Sequence, residues 1–161
     1  MAVYSPSLIT SALAESRAQL AEQLNLLTKY WTACSEAELA EQPGPGRWSR
    51  KEIMGHLIDS ALNNYHRIVL AHLGPPPHQL RPYNQDAWVR IGGYQHMPIA
   101  ELLILWTSQN RRILHVLDRL PPELLDYEYL TINGNPTTLN WLISDYVLHL
   151  EHHVRQIIHP D

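Results

Sequence analysis

The chain has 161 residues, 45% of them apolar and 17% charged, which is enough apolar content for one domain with a core and argues against disorder. A net charge of −4 gives no electrostatic basis for nucleic acid or an anionic membrane as partner. One cysteine, Cys34, excludes an intrachain disulfide or a thiolate-rich metal centre, whereas ten histidines are a surplus, and five Trp and eight Tyr carry the aromatic bulk with no Phe.

The first ten residues, MAVYSPSLIT, have no basic start, no long apolar run and no small-residue cleavage site. No apolar stretch approaches the ~20 residues of a membrane span. A single cytoplasmic domain over residues 1–161 is the expectation. The first helix is expected from about Ser7 to Trp31, with Leu13, Leu20, Leu24, Leu27 and Trp31 at helical spacings. Cys34 follows it as a small packing residue. After the Pro43-Gly44-Pro45-Gly46 break, Ser49 and Glu52 form the pattern of a capping box and open a second helix that stops before Gly74. The linker from Gly74 to Met97 is long enough to cross the end of a bundle and holds a short helical stretch, Asn84–Ile91. A third helix starts at Pro98, tolerated in a first turn, and ends at Leu120 before a double proline. The fourth follows Pro136, capped by Thr137 or Thr138, and turns Leu139, Ile143, Val147, Leu150, Val154 and Ile157 inward. Sustained alternation is absent, so no strand is expected beyond a short piece near Tyr127–Ile132. The pattern reads as an all-α four-helix bundle, and periodicity alone leaves up-down-up-down and crossover connections open.

The fourth helix carries the densest chemistry. His149 and His153 are one turn apart, about 40° around the axis, so both imidazoles can reach one metal ion, whereas His152 lies about 60° to the other side of His149. Asp145, Tyr146 and Gln156 share their arc. The second helix offers His56 on a polar stripe with Glu52, Asp59, Ser60, Asn63 and Arg67, which reads either as a solvated face or as a polar cleft between helices. Taken alone, each of these histidines is more often a surface or satisfied residue than a ligand. His66, His72, His78, His96, His115 and His159 have no partner at ligand spacing. Asp59 reads as a solvated charge, a base near a bound water, or an orienting partner for a histidine.

Three segments in order resemble one family. Gly46-Arg47-Trp48-Ser49 through His56-Leu57-Ile58-Asp59-Ser60 is similar to the opening of the second helix in the DinB/YfiT-like superfamily. Pro82-Tyr83-Asn84 through Trp88 resembles that family's P-Y-[DN]-x-x-x-W segment, and His149-Leu150-Glu151-His152-His153-Val154 through Ile157 resembles its H-x-x-H-H-[VI]-x-x-I helix. The resemblance covers residues 46–158. It implies an up-down-down-up bundle, a divalent metal, zinc or nickel, held by His56, His149 and His153, and a homodimer. The family's chemistry is diverse and includes metal-dependent hydrolysis and transfer or isomerisation with low-molecular-weight thiols. Two departures bear on the reaction: Gln156 stands where some YfiT-like members carry another histidine, and Tyr129–Gly134 lacks an H-P seen in them.

These readings combine into a metal-dependent enzyme that activates water or a low-molecular-weight thiol for a small-molecule substrate, as a hydrolase or thiol S-transferase. Asp59, Asn63 and Arg67 are placed beside the metal as its catalytic residues, the first two to hydrogen-bond its water and the arginine to anchor an anionic group. Tyr83 and Trp88 close the mouth of the cleft. The alternative is a non-catalytic, metal- or ligand-binding dimeric bundle. A structural metal site is a third reading, and it requires a fourth protein ligand such as Glu151 or Asp59.

Overall fold

The computed structural model describes residues 6–160, with side chains from residue 11; residues 1–5 of the segment read for targeting signals lie outside the described residues. Helix α1 runs Pro6–Ala33, two residues past the expected end at Trp31, and buries Leu20, Leu24, Leu27 and Trp31. Leu13 and Cys34 pack at the edge of the same core. A five-residue helix, α2 (Glu36–Ala40), opens on its own capping box between Ser35 and Glu38. The Ser49–Glu52 box is formed: the Ser49 N–H donates to Glu52 Oε2 at 2.8 Å, and Ser49 Oγ accepts from the Glu52 N–H at 3.2 Å. Helix α3 (Arg50–Leu70) follows, then α4 (Gln85–Gly92), where Asn84 caps the first turn and Gly93, at φ +66°, ends the last. Helix α5 spans Ile99–Leu117 with Pro98 as its N-cap. Helix α6 spans Leu139–Ile158, capped by Thr138, and all six residues expected to face inward are buried.

The contacts at the helix ends fix the topology. Trp31 Nε1, at the end of α1, donates to the Ile99 carbonyl at the start of α5, 2.9 Å away. Lys51, in the first turn of α3, pairs with Glu36, and the second carboxylate oxygen of Glu36 accepts from the Ile99 N–H at 3.2 Å. The end of α1 therefore meets the beginnings of α3 and α5. At the opposite end Arg17 pairs with Asp118, and the Arg112 guanidinium lies 4.2 Å from the centre of the Tyr65 ring. Helix α6 starts beside α1, with Ser16 and Ser144 hydroxyls 3.4 Å apart, and ends beside the start of α3. The order is up-down-down-up: α3 and α5 run parallel, and each of α3 and α1 packs against both α5 and α6.

Three short strands cover one end. Strands β1 (His78–Gln79), β2 (Glu128–Leu130) and β3 (Pro136–Thr138) lie in that order, β1 parallel to β2 and β2 antiparallel to β3. Tyr129 is opposite both His78 and Thr137, and Gly134, at φ +78°, turns β2 into β3. Only β2 falls in the stretch expected to be extended. Without phenylalanine, the core is filled by Trp31, Trp106 and Tyr146, the last donating its hydroxyl to buried Asn110 Oδ1 at 2.5 Å. Among the described residues no helix is long and apolar enough to cross a membrane.

Candidate metal centre

Because α3 and α6 are antiparallel, the second turn of α3 faces the last turns of α6. This places His56 against His149 and His153. The His56 and His149 Nε2 atoms are 3.1 Å apart, and the ring centroids of the three lie 5.0, 4.7 and 4.6 Å from one another. Each ring offers a nitrogen within 4.8 Å of the other two. Two imidazoles on one tetrahedral ion at ~2.0–2.1 Å hold their nitrogens about 3.3 Å apart, so the observed separation fits a shared divalent ion. Among the described residues no carboxylate or thiolate joins the cluster. Glu151, paired with Arg155, and Asp59, bonded to Tyr94, both lie outside this group, so neither completes a closed tetrahedron.

Burial sets the electrostatics. His56 is fully buried and has the Trp48 ring 5.3 Å from its own, while His149 and His153 are half-buried. Loss of solvent, reinforced by His153 and His149, pushes His56 from 6.5 down to about 3. Burial likewise takes His153 down to about 4 and lowers His149. All three are neutral at pH 7, which is the form that binds a metal.

The polar stripe of α3 is a cleft and not a solvated face: His56, Asp59 and Ser60 are buried, Asn63 and Arg67 half-buried. Asp59, one turn beyond His56, accepts the Tyr94 hydroxyl on Oδ1 at 2.6 Å, while its buried Oδ2 has no partner in the protein. Burial holds this carboxyl above the ordinary range, with the Tyr94 bond working in the opposite direction. Asn63 donates its amide to the Asp59 main-chain carbonyl, 2.8 Å away. Arg67 lies about 16 Å further along the helix than His56, donates to Asn64 Oδ1 at 3.2 Å, and shares its surroundings with Tyr83, Asp145 and Tyr129. Tyr83 lies over the stripe beside Ser60, Asp59 and Arg67, with its ring 4.8 Å from Trp88. Of the other seven histidines, six are exposed and His78 is half-buried.

A pocket of about 550 Å3 opens beside His153, walled by Trp48 and Ile53 with Arg47, Gln156 and His159 on its polar side. Trp48 and Tyr94 are absent from the site as read from sequence. Tyr94 had a signal: Gly55 and Gly92 leave the space its ring occupies, since a Cβ on Gly55 would fall 2.0 Å from Tyr94 Cδ2.

The DinB superfamily profile matches residues 19–157. A Bacillus cereus (strain AH820) protein named "putative metal-dependent hydrolase" is 27% identical over 150 residues, 92% of this chain and 86% of its own length. YfiT from Bacillus subtilis, described as a probable metal-dependent hydrolase with an unusual four-helix bundle topology, superposes with a TM-score of 0.69 at 22% identity, covering 98% of this chain and 86% of YfiT. The mycothiol-dependent maleylpyruvate isomerase superposes at 0.66 and 16% identity over 91% of this chain and 65% of its own. These two structures share the fold.

Proposed function

The chain belongs to the DinB superfamily, and on that premise we propose that it is a metal-dependent enzyme acting on a small molecule, with His56, His149 and His153 holding one zinc or nickel ion. The observation that carries this reading is the convergence of three neutral imidazoles at an open-sided cluster, with no fourth protein ligand among the described residues. A divalent ion on three imidazoles supplies Lewis-acid chemistry, lowering the pKa of a water or thiol that joins it toward neutrality. The resulting reaction is hydrolysis or thiol S-transfer, and with Cys34 outside the histidine cluster a reacting thiol comes from a substrate.

The remaining roles belong to the cleft. Asp59 Oδ2, buried and unpartnered, accepts a proton or a hydrogen bond from the reacting water or thiol, and Tyr94 holds the other oxygen in place. Asn63, fixed through its amide nitrogen, keeps its oxygen free as an acceptor. Arg67 anchors an anionic group at the far end of the cleft, under Tyr83. The pocket beside His153 admits the reacting end against Trp48. The working state is a cytoplasmic homodimer.

Turnover assays test the activity. Purified protein is offered amide and ester panels, and thiol donors with electrophilic acceptors. Activity that disappears on chelation and returns with zinc or nickel is the expected result. Gln156 and the absence of an H-P in Tyr129–Gly134 favour a second reading, a non-catalytic metal- or ligand-binding bundle, and metal-loaded protein inert on every panel would decide for it.

A further inference from the structure

We propose that Gln156 is a positioning residue for His153, holding that imidazole in the one tautomer that presents Nε2 to a metal. The inference rests on the reading of His153 as a ligand. His153 Nδ1 lies 2.7 Å from Gln156 Oε1. An amide oxygen only accepts, so the proton of the bond is on Nδ1, and in a neutral ring Nε2 is then a bare lone pair. The amide is held at its other end as well: Gln156 Nε2 donates to His152 Nε2 at 3.2 Å. The reversed amide would set its NH2 against His153 Nδ1 and its oxygen against a protonated His152 Nε2, which moves the His153 proton to Nε2 and closes that nitrogen to a metal, so a His153 ready to bind an ion requires the orientation seen here. The spacing is that of a helix surface, where residues three and four apart are neighbours.

Among the described residues no side chain ties the second nitrogen of His56 or His149, whose Nε2 atoms face each other. His56 Nδ1 is buried without a hydrogen-bond partner, and His56 is kept in place by packing against Trp48. Among the described residues, His153 is the one member of the cluster whose second nitrogen is tied by a side chain. It is also the member that lines the pocket, where a free imidazole has most room to turn. A partner on the second nitrogen fixes both ring orientation and tautomer, and removing such a partner typically weakens metal binding about 10- to 100-fold.

The test uses 15N-labelled whole protein, read twice: the histidine ring tautomers by proton–nitrogen correlation before metal is added, and zinc affinity by competition with a chelator. Gln156 is exposed, so its variants are expected to fold, and circular dichroism checks this. Gln156→Leu is expected to release His153 into a mixture of tautomers and to weaken zinc about 10- to 100-fold. Gln156→Glu keeps an acceptor oxygen on Nδ1 and should retain the wild-type tautomer and bind zinc at least as tightly. His152→Ala, which removes only the far end, should leave His153 protonated on Nδ1. A Gln156→Leu protein with the wild-type tautomer and wild-type zinc affinity overturns the proposal. A wild-type protein that takes up no zinc overturns the metal reading, while the metal-free tautomer of His153 still decides the role of Gln156.

Discussion

The His56 side chain is fully buried next to two other histidines, and that placement has a measurable consequence for stability. Its folded pKa of about 3, and that of about 4 for His153, lie below the 6.5 of an unfolded chain. Between those limits the unfolded state binds more protons than the folded one, so stability falls as pH drops from about 6.5 toward about 4. Metal-free protein unfolded in urea across that range should show this slope, and His56→Leu, which removes the buried base, should flatten it. Equal slopes in the two proteins would contradict the assignment. The cluster itself was legible because four-residue spacing puts His149 and His153 on one face, and because His56 sits on a polar stripe of an otherwise apolar helix. What no periodicity expresses is which polar groups touch. Asp59 reaches Tyr94 across 35 positions, and Arg67, on the same stripe, is three turns from the cluster.

Among the elements, α3 carries His56 and Asp59 and is held by local signals: a capping box at Ser49, and Gly55, whose missing side chain lets the Tyr94 ring lie against the helix and its hydroxyl reach Asp59. A methyl group on Gly55 would meet Tyr94 at 2.0 Å and drive its ring, and the hydroxyl bonded to Asp59, out of place. Gly55→Ala should therefore destabilise by about 1–3 kcal/mol despite the better helix propensity of alanine. Tyr94→Phe, which keeps the ring and deletes the bond, should cost less. Urea midpoints of the two variants check this, and a stabilised Gly55→Ala protein would show that Tyr94 does not need the space. Four long helices, α4 and the N-cap Ser49 follow from capping residues and 3.6-residue periodicity, while the choice of Thr138 over Thr137 as the cap of α6 does not. The missed α2 had the same signature, with Ser35 and Glu38 three apart, hidden by its five-residue length. Strands β1 and β3 were not readable because two- and three-residue segments pair across the chain, His78 with Tyr129 and Tyr129 with Thr137, and carry no alternation of their own.

At the scale of the whole molecule, connectivity matters more than helix count. Periodicity left the handling of the Gly74–Met97 linker open, since both bundle topologies bury the same apolar faces. The choice is made by contacts at the helix ends: Trp31 with Ile99, Glu36 with Lys51 and Ile99, Arg17 with Asp118. With α3 and α5 parallel, α6 must run back along α3, and only then does the last part of α6 meet the second turn of α3. In a simple up-down-up-down bundle the second and fourth helices are parallel, and His56 would be at the opposite end from His149 and His153. The site is therefore a product of the up-down-down-up order. The account stands or falls on whether those three side chains act together on an ion. Elemental analysis of the purified protein, after dialysis against zinc or nickel, measures this directly in wild type and in His56→Ala, His149→Ala and His153→Ala. The account predicts one divalent ion per chain in the wild type and loss of most of it in each variant; the same substoichiometric metal in all four proteins would contradict it.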